Sequence, residues 1–130
     1  MEYSLDQRQL DQIETVLQKN LISEEIDCAV IIDMAGNIIT DQNNGRANYD
    51  IYSLAALAAG NFGAVNAIAN IIGEREFSLL YHKGKNKSIH FSRLTSDFLL
   101  VTIFGVESSL GYVRLKVAET VEKIQRLLKT

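Results

Sequence analysis

Ile51-Tyr-Ser-Leu-Ala-Ala-Leu-Ala-Ala-Gly-Asn-Phe-Gly-Ala-Val-Asn-Ala-Ile-Ala-Asn-Ile-Ile-Gly73 runs for 23 residues without one Asp, Glu, Lys or Arg. At about 100° per residue, Leu54, Leu57, Ala58, Val65, Ile68 and Ile72 share one helical face, the one expected to cover a sheet. Asp50 precedes the run as a candidate N-cap, and Gly73 stands where a helix C-terminus favours glycine. The other side collects Ala56, Ala59, Gly63, Asn66, Ala67 and Asn70. A solvent face normally carries charge; this one carries small residues and amides. Gly60 and Gly63 each cost about 1 kcal/mol relative to alanine in a helix interior. Faces of this kind let another backbone approach closely, so a docked polypeptide is the expected compensation. A water-exposed alanine-rich helix and a helix wholly enclosed in its own domain are the structural alternatives. Length alone also permits a membrane span, but Asn61, Asn66, Asn70 and Ser53 argue against stable insertion.

Working outward, Ile26-Asp-Cys-Ala-Val-Ile-Ile-Asp33 and Ile38-Ile-Thr40 flank the breaker Ala35-Gly36-Asn37, which reads as a hairpin with Gly36 free to take positive φ. Residues 41–49 are polar and read as a loop. Upstream, Leu10, Ile13, Leu17 and Leu21 keep helical spacing, with Ser4 and Gln7 as a capping box. Downstream, Phe77–His82 and Ser88–Ser92 bracket a Lys-Gly-Lys-Asn-Lys turn, a second hairpin. Phe98–Phe104 is nearly all apolar and reads as a central strand. Ser108 or Ser109 caps a last helix with Leu110, Val113, Val117, Val121, Ile124 and Leu128 on one seam. The order α-β-β-α-β-β-β-α predicts an α+β domain on a five-stranded antiparallel sheet, one domain over residues 1–130.

The chain has 130 residues, with 13 Lys+Arg against 16 Asp+Glu and a formal net charge of −3. That balance argues against nucleic acid as a partner. One cysteine, Cys28, makes no internal disulfide and is expected to be an inert core thiol. Two histidines and one thiol are too few for a structural zinc site, although His82 and His90 flank one turn and are candidates to face each other. Gly84-Lys-Asn-Lys-Ser88 resembles the end of a phosphate-binding loop, but Leu79 stands where the first glycine belongs. The N-terminal residues show no basic and apolar signal pattern, so a cytoplasmic protein is expected.

Several segments resemble Roadblock/dynein-light-chain domains, most of all their bacterial MglB type. They are Ser53-Leu-Ala-Ala-Leu-Ala-Ala-Gly-Asn61, Ile72-Gly-Glu-Arg-Glu-Phe77, Val101-Thr-Ile-Phe104 and Ser108-Ser-Leu-Gly-Tyr-Val-Arg-Leu115, with weaker support from Ile31-Ile-Asp-Met-Ala-Gly-Asn-Ile-Ile39. The resemblance implies a Roadblock/profilin-like fold and a homodimer whose third strands pair edge to edge through Phe77, Ser78, Leu79, Leu80 and Tyr81. It implies that two second helices together present a platform to one small Ras-like GTPase. Gly63 and Ala67 would lie near the middle of that contact, with Ala56, Ala59, Phe62, Asn66 and Asn70 around them. It further implies stimulated GTP hydrolysis in polarity or motility control, with no cofactor and no catalytic residue supplied. Arg46, Arg75, Arg93 and Arg114 are the arginines that an inserted-finger mechanism would have to use. A recruiting scaffold without activating effect is the alternative, and a PAS-like small-molecule sensor is a third reading of the same element order.

Overall fold

The computed structural model describes residues 5–128. Eight elements follow in the expected order: α1 (Gln7–Asn20), β1 (Ile26–Asp33), β2 (Ile38–Asn43), α2 (Ile51–Ile71), β3 (Leu80–Lys83), β4 (Lys87–Arg93), β5 (Phe98–Gly105) and α3 (Leu110–Leu128). The strands form one antiparallel sheet in the order β2-β1-β5-β4-β3. β1 and β5, the two most apolar strands, occupy the middle, where both faces are covered.

Side chains alternate across a strand, so the sheet feeds two cores. Ala29, Ile31, Leu100 and Phe104 meet Ile13 and Leu17 of α1 and Val113, Val117 and Ile124 of α3. Cys28, Val30, Ile32, Leu99, Val101 and Ile103 meet Ala55, Ala58, Ala59 and Phe62 of α2 on the other side. By length and composition α2 is apolar enough to cross a bilayer. Here it is a layer of the fold, and removing it would bare the second face of β1 and β5.

Local chemistry sets the boundaries. Asp6, not Ser4, caps α1: its Oδ1 accepts from Gln9 N–H at 2.8 Å, and Gln9 Oε1 accepts from Asp6 N–H at 3.2 Å. Ser4 lies outside the described residues. Asp50 caps α2, accepting from Ser53 N–H at 3.3 Å and from Ser53 Oγ at 2.7 Å. Gly73, at φ +89°, ends the helical turn that follows α2. Ser109 caps α3 through Tyr112 N–H at 3.1 Å. β2 continues to Asn43, into the stretch expected to be a loop, because Cys28, Ala29 and Val30 of β1 pair with Asn43, Gln42 and Asp41.

Candidate functional site: the uncovered side of helix α2

α2 touches the sheet through small residues. Ala55, Ala58, Ala59, Phe62 and Ala69 are its buried positions. Large aliphatic side chains were expected underneath, and that expectation fails for three of them. Leu57 is 73% exposed, Ile68 54% and Ile72 65%. Just beyond or beside them, Tyr52 and Ile71 are about four-fifths exposed, at 79% and 83%. The physical reason is that α2 is apolar all round, so no charged face fixes its rotation about its own axis. Alanines on the inner side let the helix sit close, with Phe62 filling the remaining depth.

Two contacts orient the helix across the sheet. Asn61 Oδ1 lies 3.4 Å from His82 Nε2 on β3, so the flank carrying Asn61 leans toward β3. Gly36, in the turn between β1 and β2, stands against the Ala56 backbone, so the opposite flank leans toward β2. On the helical wheel Leu57, Ile68 and Ile72 share the Asn61 flank, whereas Gly63, Ala67 and Asn70 share the Ala56 flank. Leu57, Ile68 and Ile72 therefore lie on the side of the β3 edge, and the small residues, with exposed Tyr52 among them, on the side of the β1–β2 turn. An alanine Cβ at Gly60 or Gly63 would meet nothing within 4 Å.

The expected platform is thus divided. Ala56, Gly63, Ala67 and Asn70 are exposed and Asn66 is half-buried. Ala59 and Phe62 are corrected: both are buried against the sheet, and Phe62 also receives the Arg93 guanidinium at 5.0 Å from its ring centroid. The expected edge strand is shorter than Phe77–His82. β3 begins at Leu80, so Phe77, Ser78 and Leu79 precede the strand while Leu80 and Tyr81 belong to it. Within the sheet β3 pairs only with β4, which leaves its other side as a free edge.

Other candidate groups fall elsewhere. His82 pairs with Ile89 and His90 with Tyr81, so the two histidines point to opposite faces and do not meet. Among the described residues no group of three potential metal ligands exists. Cys28 is buried, and burial first, then Asp41, pushes its pKa up to about 12. Arg93 donates Nε to Glu76 Oε1 at 2.7 Å, and Arg46 Nη2 donates to the Glu24 carbonyl at 3.3 Å. A polar cleft of about 460 Å³ lies at the end of β1, lined by Glu24, Glu25, Asp27, Arg46, Lys87 and Glu107 among others. Its buried Asp27 carboxylate is already taken by Lys87 Nζ and by Tyr49 Oη.

The family model for the Roadblock/LC7 domain matches residues 12–104. The chain belongs to the Roadblock/LC7 family. This Roadblock/LC7 chain is 28% identical over 130 residues to an uncharacterized protein of Aquifex aeolicus (strain VF5), a match covering 98% of this chain and 79% of that one. Among solved structures it is similar to Myxococcus xanthus MglB, with 26% identity and a TM-score of 0.80 over 97% of this chain and 98% of that chain. It is also similar to an MglB described in a tetrameric arrangement, at 26% identity and a TM-score of 0.86, covering 99% and 98%. Both matches extend over α3, which lies beyond the segment that the family model matches.

Proposed function

We propose that this Roadblock/LC7 chain acts in the cytoplasm as a homodimer that binds a small Ras-like GTPase and raises its rate of GTP hydrolysis, in control of polarity or motility. One observation carries the reading: α2 leaves Leu57, Ile68 and Ile72 uncovered on the side of the free β3 edge and Ile71 uncovered between the flanks, next to an uncharged flank of small residues and Tyr52. Covering a large aliphatic side chain contributes roughly 1.5–3 kcal/mol, so Leu57, Ile68 and Ile72 on both copies contribute on the order of the entropy cost of association. Pairing two β3 edges would extend the sheet and bring the Leu57–Ile68–Ile72 flanks of two α2 helices together. The small flank with Ala56, Gly63, Ala67 and Asn70 then remains for the GTPase. The similarity to MglB structures, one of them in a tetrameric arrangement, supports an assembly of several copies.

On this reading the chain supplies no catalytic side chain. Arg93 is held by Glu76 and Phe62, and Arg46 by a backbone carbonyl. Activation then follows from binding the hydrolysis-competent arrangement of the GTPase more tightly than the resting one, since only differential affinity shifts such an equilibrium.

The test is phosphate release by the Ras-like GTPase from the same source, with wild-type chain and with Gly63→Arg. Gly63 faces open space, so the arginine fits the isolated fold and obstructs the platform. Loss of stimulation is expected. A folded, dimeric variant that stimulates like wild type removes the assignment, and GTPase binding with no change in turnover points to a recruiting scaffold instead.

A further inference from the structure

The sheet face under α1 and α3 is apolar along most of β1 and β5 but polar at its β4 margin. Register sets Ser88, His90 and Ser92 opposite Phe104, Thr102 and Leu100. Phe104 and Leu100 belong to the core beneath α1 and α3, so the three polar side chains of β4 turn the same way. Between this strip and α3 lies a cavity of about 310 Å³, at the lower end of the range for small-ligand sites. Its lining joins Ser78, His90 and Ser92 to Arg114 and Gln125, with Val117 and Val121 as an apolar wall.

His90 is the informative member. It is 6% exposed, and its Nδ1 is sealed from solvent without a hydrogen-bond partner. Orphaned buried N–H groups are rarer than under-satisfied acceptors, so we assign the ring proton to Nε2. With that assignment Nε2 is a donor. Arg114 is exposed on α3 and makes no ion pair among the described residues. Glu122, the carboxylate in the lining, accepts at Oε1 from Arg126 Nη2 at 2.5 Å in an exposed pair one helical turn apart, and Oε2 keeps its negative charge beside the cavity. Gln125 donates Nε2 to the Leu94 carbonyl at 2.8 Å. The polar lining is thus Arg114, His90, Ser78 and Ser92, with the paired Glu122 and Gln125 beside them, opposite an apolar wall.

We propose that the cavity between β4 and α3 binds a small organic oxyanion, its charged end held by Arg114, His90 and Ser92 and its short apolar body lying on Val117 and Val121. The site lies on the face opposite α2 and does not depend on the GTPase reading. Its ligand is a phosphate monoester or a carboxylate of a few carbons, since both present acceptors to the same donors.

The experiment titrates inorganic phosphate, and separately butyrate, into the full chain with isotope-labelled histidines, following both ring signals by NMR. The expected result is a saturable shift at His90 with His82 unmoved, from phosphate, butyrate or both. The probe that acts identifies the recognised group. Arg114→Gln, a change at an exposed helix position, is expected to weaken binding by about tenfold or more, the scale of a charge-assisted hydrogen bond. No saturable His90 shift from either probe overturns the proposal. So does a shift that Arg114→Gln leaves unchanged.

Discussion

A Cβ added to Gly36 would stand 2.9 Å from Ala56 Cα, closer than side-chain carbons approach backbone, and Gly36 also sits at φ +90°. The turn between β1 and β2 therefore pins the flank of α2, and glycine is required there twice over: for conformation and for space. Gly36→Ala is expected to lower folding stability by about 2 kcal/mol or more, read as a shift in the urea midpoint. Gly63→Ala, in open space on α2, should stabilise by up to about 1 kcal/mol.

The two sides of α2 respond differently to substitution. Phe62→Ala empties the helix–sheet core and should cost about 3 kcal/mol or more of folding stability. Leu57→Asn changes a side chain that the isolated chain leaves in water. It should spare folding and weaken self-association by about tenfold, roughly 1.4 kcal/mol, read by sedimentation across a dilution series.

Cys28 is a test of core integrity. With its pKa pushed up to about 12 by burial and by Asp41, the thiolate is a trace species at neutral pH. A thiol reagent at pH ~8 should leave the native chain unmodified and label it once urea unfolds it. Rapid labelling of the native protein would contradict the packing of β1 under α2.

Burial, with the Arg114 charge second, lowers the His90 pKa below its ordinary 6.5. The folded state therefore favours the neutral ring, while the unfolded chain takes up a proton below about 6.5. This contribution to stability is complete above that value and is lost as pH falls through the lower folded pKa, with a slope of at most about 1.4 kcal/mol per pH unit. The charged groups that line its cavity from α3 are Arg114 and Glu122. The stability difference between wild type and His90→Asn should accordingly narrow between pH ~7 and ~5 in parallel denaturation curves.

The element order and the central place of β5 were legible because strand alternation and unbroken apolar runs report burial directly. Asp50 and Gly73 were legible as helix boundaries for the same reason that caps exist: each meets a specific backbone need. The face of α2 was not. A charge-free helix offers two apolar sides, and the rule that large aliphatics go inside chose the wrong one for Leu57, Ile68 and Ile72. The contacts that mark its rotation are long-range: the small inner residues and Phe62 on the sheet, Gly36 against Ala56, and Asn61 beside His82. The separation of His82 from His90 was equally hidden, because it depends on the register of β3 against β4. The cavity under α3 left no motif, since its polar residues come from β4, from Ser78 ahead of β3 and from α3.

The central claim is that other polypeptide covers the outer side of α2, and solution mass tests it most directly. Sedimentation equilibrium at micromolar concentration should give twice the 14.5 kDa chain mass, and a heavier species once a GTP-loaded Ras-like GTPase is added. A single 14.5 kDa species that takes up no GTPase would contradict the account.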